Sequence, residues 1–355
     1  MMPFSEILKA DQRLGNRQQP DAFSGYGKIS KTDIAWSDFS HRSRCDAHYL
    51  SPGEYPEARF LAEATAWADN GVIGCPRHNA FVEETLEDWV HPIRRHSAFQ
   101  LPGMPKHQRL PGITADLRTH GGRTFYHFLF EALPRLQAIE SLKDSIDHYL
   151  VTANGEEWKK EWLEATGLTK PIVWCKPLSH YFCDQLIFTK RPSRPFEPNP
   201  RSVSFIRHRL EFQQKTTGTR RLWMSRKNAH ARSVVWERDL EIEASSLGYD
   251  IVDPQRYSPK EFIELLSDCA VFAGFHGAAF ANLIFLPRDA SVLEVYTSEQ
   301  EPWFPRLAQV CGVTYRKLSI SAKKTDQNKV IEFLRTHSAG QSRTRKGRST
   351  QLSQD

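Results

Sequence analysis

From Ser258 onward the apolar residues alternate between helical and strand-like spacing. Phe262, Leu265 and Leu266 fall on one helical face. Ser258 with Glu261 three residues later forms a capping box, and Pro259 suits the first turn, so a helix is predicted from Ser258 to Ala270 with Cys269 on its inner side. Val271-Phe272-Ala273 is a short run of strand type that breaks at Gly274. His276-Gly277-Ala278 follows, and Ala279-Phe280-Ala281-Asn282-Leu283 can open a new helix. After Pro287 the apolar run Val292-Leu293-Glu294-Val295 predicts another strand. Strands alternating with helices predict a parallel, doubly wound α/β layout, in which ligands bind outside the carboxyl ends of the strands.

That rule gives the His276 turn its interest. A strand that ends in a small-residue turn and feeds a helix leaves backbone N–H groups free, and the helix dipole adds positive potential. The pair of effects suits phosphate. Gly277 and Ala278 keep the turn open, and His276 can add a hydrogen bond or a charge. A tight turn around a buried, satisfied histidine is the alternative. The turn's place at a strand's carboxyl end favours a ligand site.

Upstream, Arg221-Leu222-Trp223-Met224 reads as a strand, Ser202 to Gln214 as a helix before it, and Ser225-Arg226 as its carboxyl end. A guanidinium at Arg226 can grip phosphate oxygens in a bidentate fork, and Arg232 can supply a second charge. A solvated basic loop is the other reading. Glu294 suits either a ribose contact or a strand-end cap, and Asn282 suits a bond to its own turn's backbone. His127 and Glu131 stand four apart on one helical face among aromatic residues, where unpaired polar groups are costly. They suit an acid–base pair, with His127 the base and Glu131 its orienting partner, or a pair that docks the helix or positions a sugar. Asp116, His120 and Asp46 are the next candidates for a base.

These segments together resemble glycosyltransferase family 61. The resemblance rests on Arg221 to Lys227, Arg232, Gly248-Tyr249-Asp250-Ile251-Val252, the Ser258 helix, Gly274 to Ala278, Asn282 and Leu293-Glu294-Val295. An upstream element, Phe125-Tyr126-His127-Phe128-Leu129-Phe130-Glu131-Ala132-Leu133-Pro134-Arg135-Leu136, is similar to the family's other signature. The family implies a GT-B fold of two Rossmann-like domains facing a cleft, an inverting mechanism and no obligatory metal. It further implies a nucleotide-sugar donor, UDP-linked by expectation, held by Ser225, Arg226, Arg232, His276, Gly277, Ala278, Asn282 and Glu294. A glycan hydroxyl or lipid-linked oligosaccharide would be the acceptor, and no further cofactor is expected.

Composition agrees with an enzyme of two domains. At 355 residues the chain exceeds the size of a single core, and 39% hydrophobic with 25% charged residues is globular. Prolines at 192, 195, 198 and 200 interrupt both helix and strand, so the expected domains are 1–195 on the acceptor side and 196–325 for the nucleotide sugar. Glu156 to Ala165 is predicted as a helix, and Ile172 to Trp174 and Gln185 to Phe188 as strands of the first domain. A helix is predicted over 326–338, which the resemblance to GT-B proteins implies would cross back to the first domain, and a disordered basic tail is expected over 339–355.

The net charge of +6 concentrates at the phosphate candidates and in that tail, which points to a nucleotide diphosphate and to a peripheral membrane contact. Nucleic acid is not indicated. The six cysteines lack metal or CxxC spacing and read as reduced and buried, and Asp250-Ile251-Val252-Asp253 is not a DxD metal motif. The start of the chain carries an early acid and no apolar core, so a cytoplasmic, bacterial enzyme of surface-polysaccharide synthesis is expected. A dinucleotide enzyme is disfavoured by the missing G-x-G-x-x-G turn. A non-catalytic carbohydrate-binding relative stays open.

Overall fold

The computed structural model describes residues 48–49, 58–68, 70–75, 80–82, 85, 106–192, 198–227, 234–297, 303–321 and 323–344. The chain divides into two compact units, Met1–Ile206 and Arg207–Asp355.

The first unit is built on one sheet. Its strands are β1 (His48–Tyr49), β2 (Ala58–Trp67), β3 (Val72–Cys75), β4 (Ala80–Phe81), β5 (Gln108–Asp116), β6 (His148–Thr152), β7 (Ile172–Cys175) and β8 (His180–Thr189). Their order is β4-β3-β2-β8-β5-β6-β7, with β1 on β2. From β8 to β7 the pairing is parallel. From β8 outward through β2 to β4 it is antiparallel. Two Rossmann-like domains were expected; this sheet is parallel over four strands and antiparallel over the others. Loops as short as Ala68–Gly71 join neighbouring strands without a crossover helix, which forces antiparallel pairing. Leu150, Cys175, Cys183, Leu186 and Phe188 form part of its core with Leu61, Ala64 and Ala66 of β2.

Between β5 and β6 lies the segment that carries His127 and Glu131. It is a short helix α1 (Phe125–His127) that passes into a π-helical turn over Phe128–Ala132, then α2 (Arg135–Ala138). The bond from the Leu133 N–H to the Phe128 carbonyl, 3.0 Å, closes the wider turn. Helix α3 (Glu156–Ala165) packs Trp158 against Phe125 and Phe128 and Trp162 against Phe125. Edge-to-face contacts of this kind add specificity to the burial of the rings. Helix α4 (Pro200–Arg209) leads into the second unit.

The second unit holds a wholly parallel sheet of β9 (Arg220–Met224), β10 (Asp250–Val252), β11 (Cys269–Phe275), β12 (Ser291–Tyr296) and β13 (Thr314–Ser319) in the order β10-β9-β11-β12-β13. Helices α5 (Glu237–Ser246), α6 (Pro259–Ser267) and α7 (Trp303–Cys311) connect the strands. The expected capping box is present: the Ser258 hydroxyl accepts from the Glu261 N–H, and the Glu261 carboxylate accepts from the Ser258 N–H at 2.9 Å. Every residue of β11 is buried, so Cys269 opens that strand instead of lining the helix before it.

The terminal helix α8 spans Gln327–Thr344. Its Val330 and Leu334 are buried in the second unit's own core beside Trp236, Leu240 and Tyr249. It also runs through Thr344, so the start of the expected disordered tail is helical, and residues 345–355 lie outside the described residues. Among the described residues no helix is long and apolar enough to cross a membrane.

Candidate functional site

In the second unit the strand order reverses at one place. Counted along the chain, the order is second, first, third, fourth, fifth, so the switch point lies between β9 and β11. Connections leave these two strands in opposite directions there and open a crevice at their carboxyl ends. Arg226 follows β9 and His276-Gly277 follows β11, which brings both sequence candidates to that crevice. The guanidinium donates to the His276 carbonyl at 3.3 Å.

The turn opens a 3-10 helix over Ala278–Phe285 where an ordinary helix was expected. Its residues from Phe280 to Phe285 are all buried, so packing surrounds the segment. Among the described residues the N–H groups of Gly277, Ala278 and Ala279 meet no acceptor, and these three residues are half-buried or exposed. Three successive orphan donors at a helix start form a cradle for an anion. Gly277 is extended, with φ 175° and ψ 175°, and an added Cβ would lie 3.9 Å from the Arg226 Nε. The fold therefore has room for a side chain there, and what glycine preserves is open access to the backbone.

His276 is anchored from behind. Its Nδ1 lies 2.7 Å from Glu294 Oε1, while Tyr296 and Tyr315 donate to Oε2 at 3.1 and 2.5 Å. Glu294 is fully buried inside β12, with both oxygens engaged. It is thus not a surface cap at the strand's end; its carboxylate holds His276. The His276 Nδ1 faces the Glu294 carboxylate, and Nε2 is the ring nitrogen on the other side. Burial and the Glu294 charge push the Tyr296 and Tyr315 hydroxyls above the ordinary tyrosine range, so both remain donors. The imidazole also stacks on Tyr296 at 4.9 Å and meets Phe304 at 5.3 Å.

The remaining candidates of this unit divide. Ser225 accepts from the Lys227 N–H at 3.3 Å, a local turn bond. Asn282 donates to the Ala279 carbonyl at 2.9 Å and so ties down its own turn, as expected. Arg232 lies outside the described residues, as does Asp46. Sequence reasoning missed Glu237, which accepts the Arg226 backbone N–H at 3.2 Å and is raised above the usual carboxylate range by burial. It also missed Tyr315. Tyr296 had a signal: it follows Glu294 by two residues on one strand and so shares its face.

In the first unit the acid–base candidates also follow a parallel strand. Beyond β5 come Arg118, Thr119, His120, Gly121 and Gly122, then α1. Gly121 sits at φ +77°, and a Cβ there would lie 2.6 Å from the His127 ring, so both backbone and ring demand glycine. His127 Nδ1 lies 2.8 Å from Glu131 Oε1, and both residues are buried. Thr119 donates to Oε2 at 2.8 Å and the Arg191 Nε lies 3.5 Å from it. Burial alone would raise the Glu131 carboxyl. The bond to His127, the His127 charge, Arg191 and Thr119 together outweigh burial and hold it below the usual range. A carboxylate held ionised favours a proton on the His127 Nδ1 that faces it, which leaves Nε2 as the other ring nitrogen.

The sign for stability follows from that depressed pKa. Glu131 stabilises the fold above its unfolded pKa, about 4.3, and this contribution disappears as pH falls further. The melting temperatures of the native chain and Glu131→Gln should therefore converge below about pH 4 and separate above it. A gap constant from pH 3 to pH 7 would contradict the assignment.

Asp116 is withdrawn as a base. Its oxygens accept from the Arg118 N–H, Nε and Nη2 at 2.8 to 2.9 Å, and the pair is buried. His120 lines a small recess beside Glu131. The five described cysteines form no disulfide with one another and are buried; burial pushes Cys183 up to about 12 and Cys311 to about 11, so these two are thiols and poor nucleophiles. Among the described residues no group of three or more His, Cys, Asp or Glu side chains converges.

Comparison with known proteins covers both of these turns. Residues 125–293 match the family model described as Glycosyltransferase 61, which opens at the His127 helix and closes in β12. The EGF domain-specific O-linked N-acetylglucosamine transferases of Canis lupus familiaris and Drosophila melanogaster are 31% and 32% identical over 119 and 121 residues. These alignments cover 31% and 32% of this chain and 22% of each relative, so the chain spans about a fifth of the length of the curated relatives it matches. From Phe125 to Leu293, over both turns built above, the chain matches glycosyltransferase family 61.

Proposed function

We propose that this chain is an inverting, metal-independent glycosyltransferase of GT-B type that moves a sugar from a UDP-linked donor to a glycan hydroxyl. The family match and the named transferase relatives support an enzyme of this class. The observation that carries the reading is the row of unpartnered N–H groups at Gly277, Ala278 and Ala279 beside the Arg226 guanidinium, at the switch point of a parallel sheet. Such a site binds a diphosphate and stabilises the charge that develops on it as the sugar leaves. His127, oriented by Glu131, takes the proton from the acceptor hydroxyl, so that oxygen attacks the anomeric carbon while the nucleoside diphosphate departs. The new glycosidic bond forms on the opposite face from the leaving group, which inverts the centre. A growing surface polysaccharide or its lipid-linked precursor suits such a hydroxyl.

Release of free nucleotide from UDP-, GDP- and CMP-sugars tests this reading, because transferases slowly hydrolyse their donors. One donor, UDP-linked, should be turned over, at a rate unchanged by EDTA. Binding without release would favour a non-catalytic relative. Activity that stops in EDTA and returns with Mn²⁺ would overturn the metal-independent step.

A further inference from the structure

We propose that the recess beside Glu131 in the first unit binds a small oxyanion, a carboxylate or phosphate group carried by the acceptor, through Arg135. The recess is lined by Asp116, Arg118, Thr119, Arg135, Thr189 and Arg191 among others. Two of its charges are already matched. Arg118 gives Nε and Nη2 to Asp116 and Nη1 to the carbonyls of Trp67 and Ala68. Glu131, which contacts Thr119 and Arg191 of the lining, is itself held by His127.

Arg135 is different. It is 8% exposed, and its Nε donates to the Glu131 main-chain carbonyl while Nη1 donates to the Thr189 carbonyl and hydroxyl. None of these acceptors is a carboxylate, and Nη2 meets no acceptor among the described residues. Burial, only partly offset by Asp116 and Glu131, pulls its pKa down to about 10. A guanidinium left in this state at the wall of a recess gains most from an oxyanion, whose paired oxygens match its planar fork. The Thr189 hydroxyl, 3.4 Å from Nη1, is a further polar group on the same wall.

The link to the acceptor rests on the reading of His127 as the base. Thr119 and Arg191 line the recess and also contact Glu131 Oε2, so an anion held there is linked to the His127 imidazole through the carboxylate that contacts both. The acceptor class is then an acidic glycan, either a uronic acid or a phosphorylated sugar. Neutral acceptors would lack the anchor.

Titration calorimetry on the full chain without donor tests this. Methyl glucuronide, neutral methyl glucoside and inorganic phosphate are the probes, at low ionic strength. Methyl glucuronide or phosphate should bind and methyl glucoside should not, and Arg135→Gln should weaken binding about tenfold to a hundredfold. Binding of the glucuronide alone identifies a carboxylate source, and binding of phosphate identifies a phosphorylated one. Arg135→Lys keeps the charge without the fork, and should also weaken binding if Arg135→Gln does not fold. Failure of both anions to bind, or binding indifferent to Arg135, overturns the proposal. Anion binding in a chain that releases no nucleotide would instead fail the transferase reading and leave this site standing.

Discussion

His127→Ala should cut turnover by roughly a hundredfold to ten-thousandfold while donor affinity stays nearly unchanged. The expectation rests on the buried His127–Glu131 pair, 2.8 Å apart, and on an ionised Glu131 that keeps the ring in one tautomer. On the proposed mechanism, the acceptor hydroxyl would lose its proton to water without the imidazole, while the proposed diphosphate cradle keeps all of its own residues. Glu131→Gln should do less, because it disturbs only the orientation of the base. The two variants would be compared in steady-state assays against a melting curve for each. Full activity in both, with the fold intact, places the base elsewhere. Loss of donor affinity in His127→Ala would instead assign the residue to sugar binding.

The largest effect on stability is expected from Asp116→Asn. Arg118 is fully buried; burial lowers its pKa, but the Asp116 charge and hydrogen bond, with smaller contributions from Cys175 and Cys183, together hold it above the ordinary arginine value. Removing the carboxylate charge leaves an uncompensated guanidinium inside the first unit, which costs about 3–5 kcal/mol. The solvated pair Lys143–Glu140, at 2.9 Å, is the control, since exposed pairs contribute about 0–1 kcal/mol. Urea titrations of Asp116→Asn and Glu140→Gln measure both. Equal midpoints would contradict the view that the Asp116–Arg118 pair organises the turn after β5.

What the sequence made legible was local. The Ser258 capping box, the helix Glu156–Ala165 and the strands on either side of the His276 turn each follow from residues a few positions apart. The first sheet was not legible over Ala58–Trp67, because that strand is buried at both ends on both faces and so loses the alternation that marks a half-exposed strand. The surroundings of Glu294 were hidden for a related reason. In a strand covered on both faces, a lone acid is visible but its buried partners, one of them 21 residues away, are not. The π-helical turn at Phe128–Ala132 has no periodicity of its own, yet such turns recur at functional sites. The partners of Glu131, namely Thr119 and Arg191, come from distant positions brought together only by the fold.

The central claim is that the His276 turn cradles a nucleotide diphosphate, and Gly277→Val tests it most directly. The glycine is extended and has room for a Cβ, so the variant should fold and melt like the native chain. Its branched side chain should nonetheless hold an anion away from the N–H groups of Gly277, Ala278 and Ala279. Titration calorimetry with UDP, GDP and CMP on both chains gives the answer. The account predicts that the native chain binds UDP and that folded Gly277→Val does not. Equal nucleotide binding by both chains would contradict it.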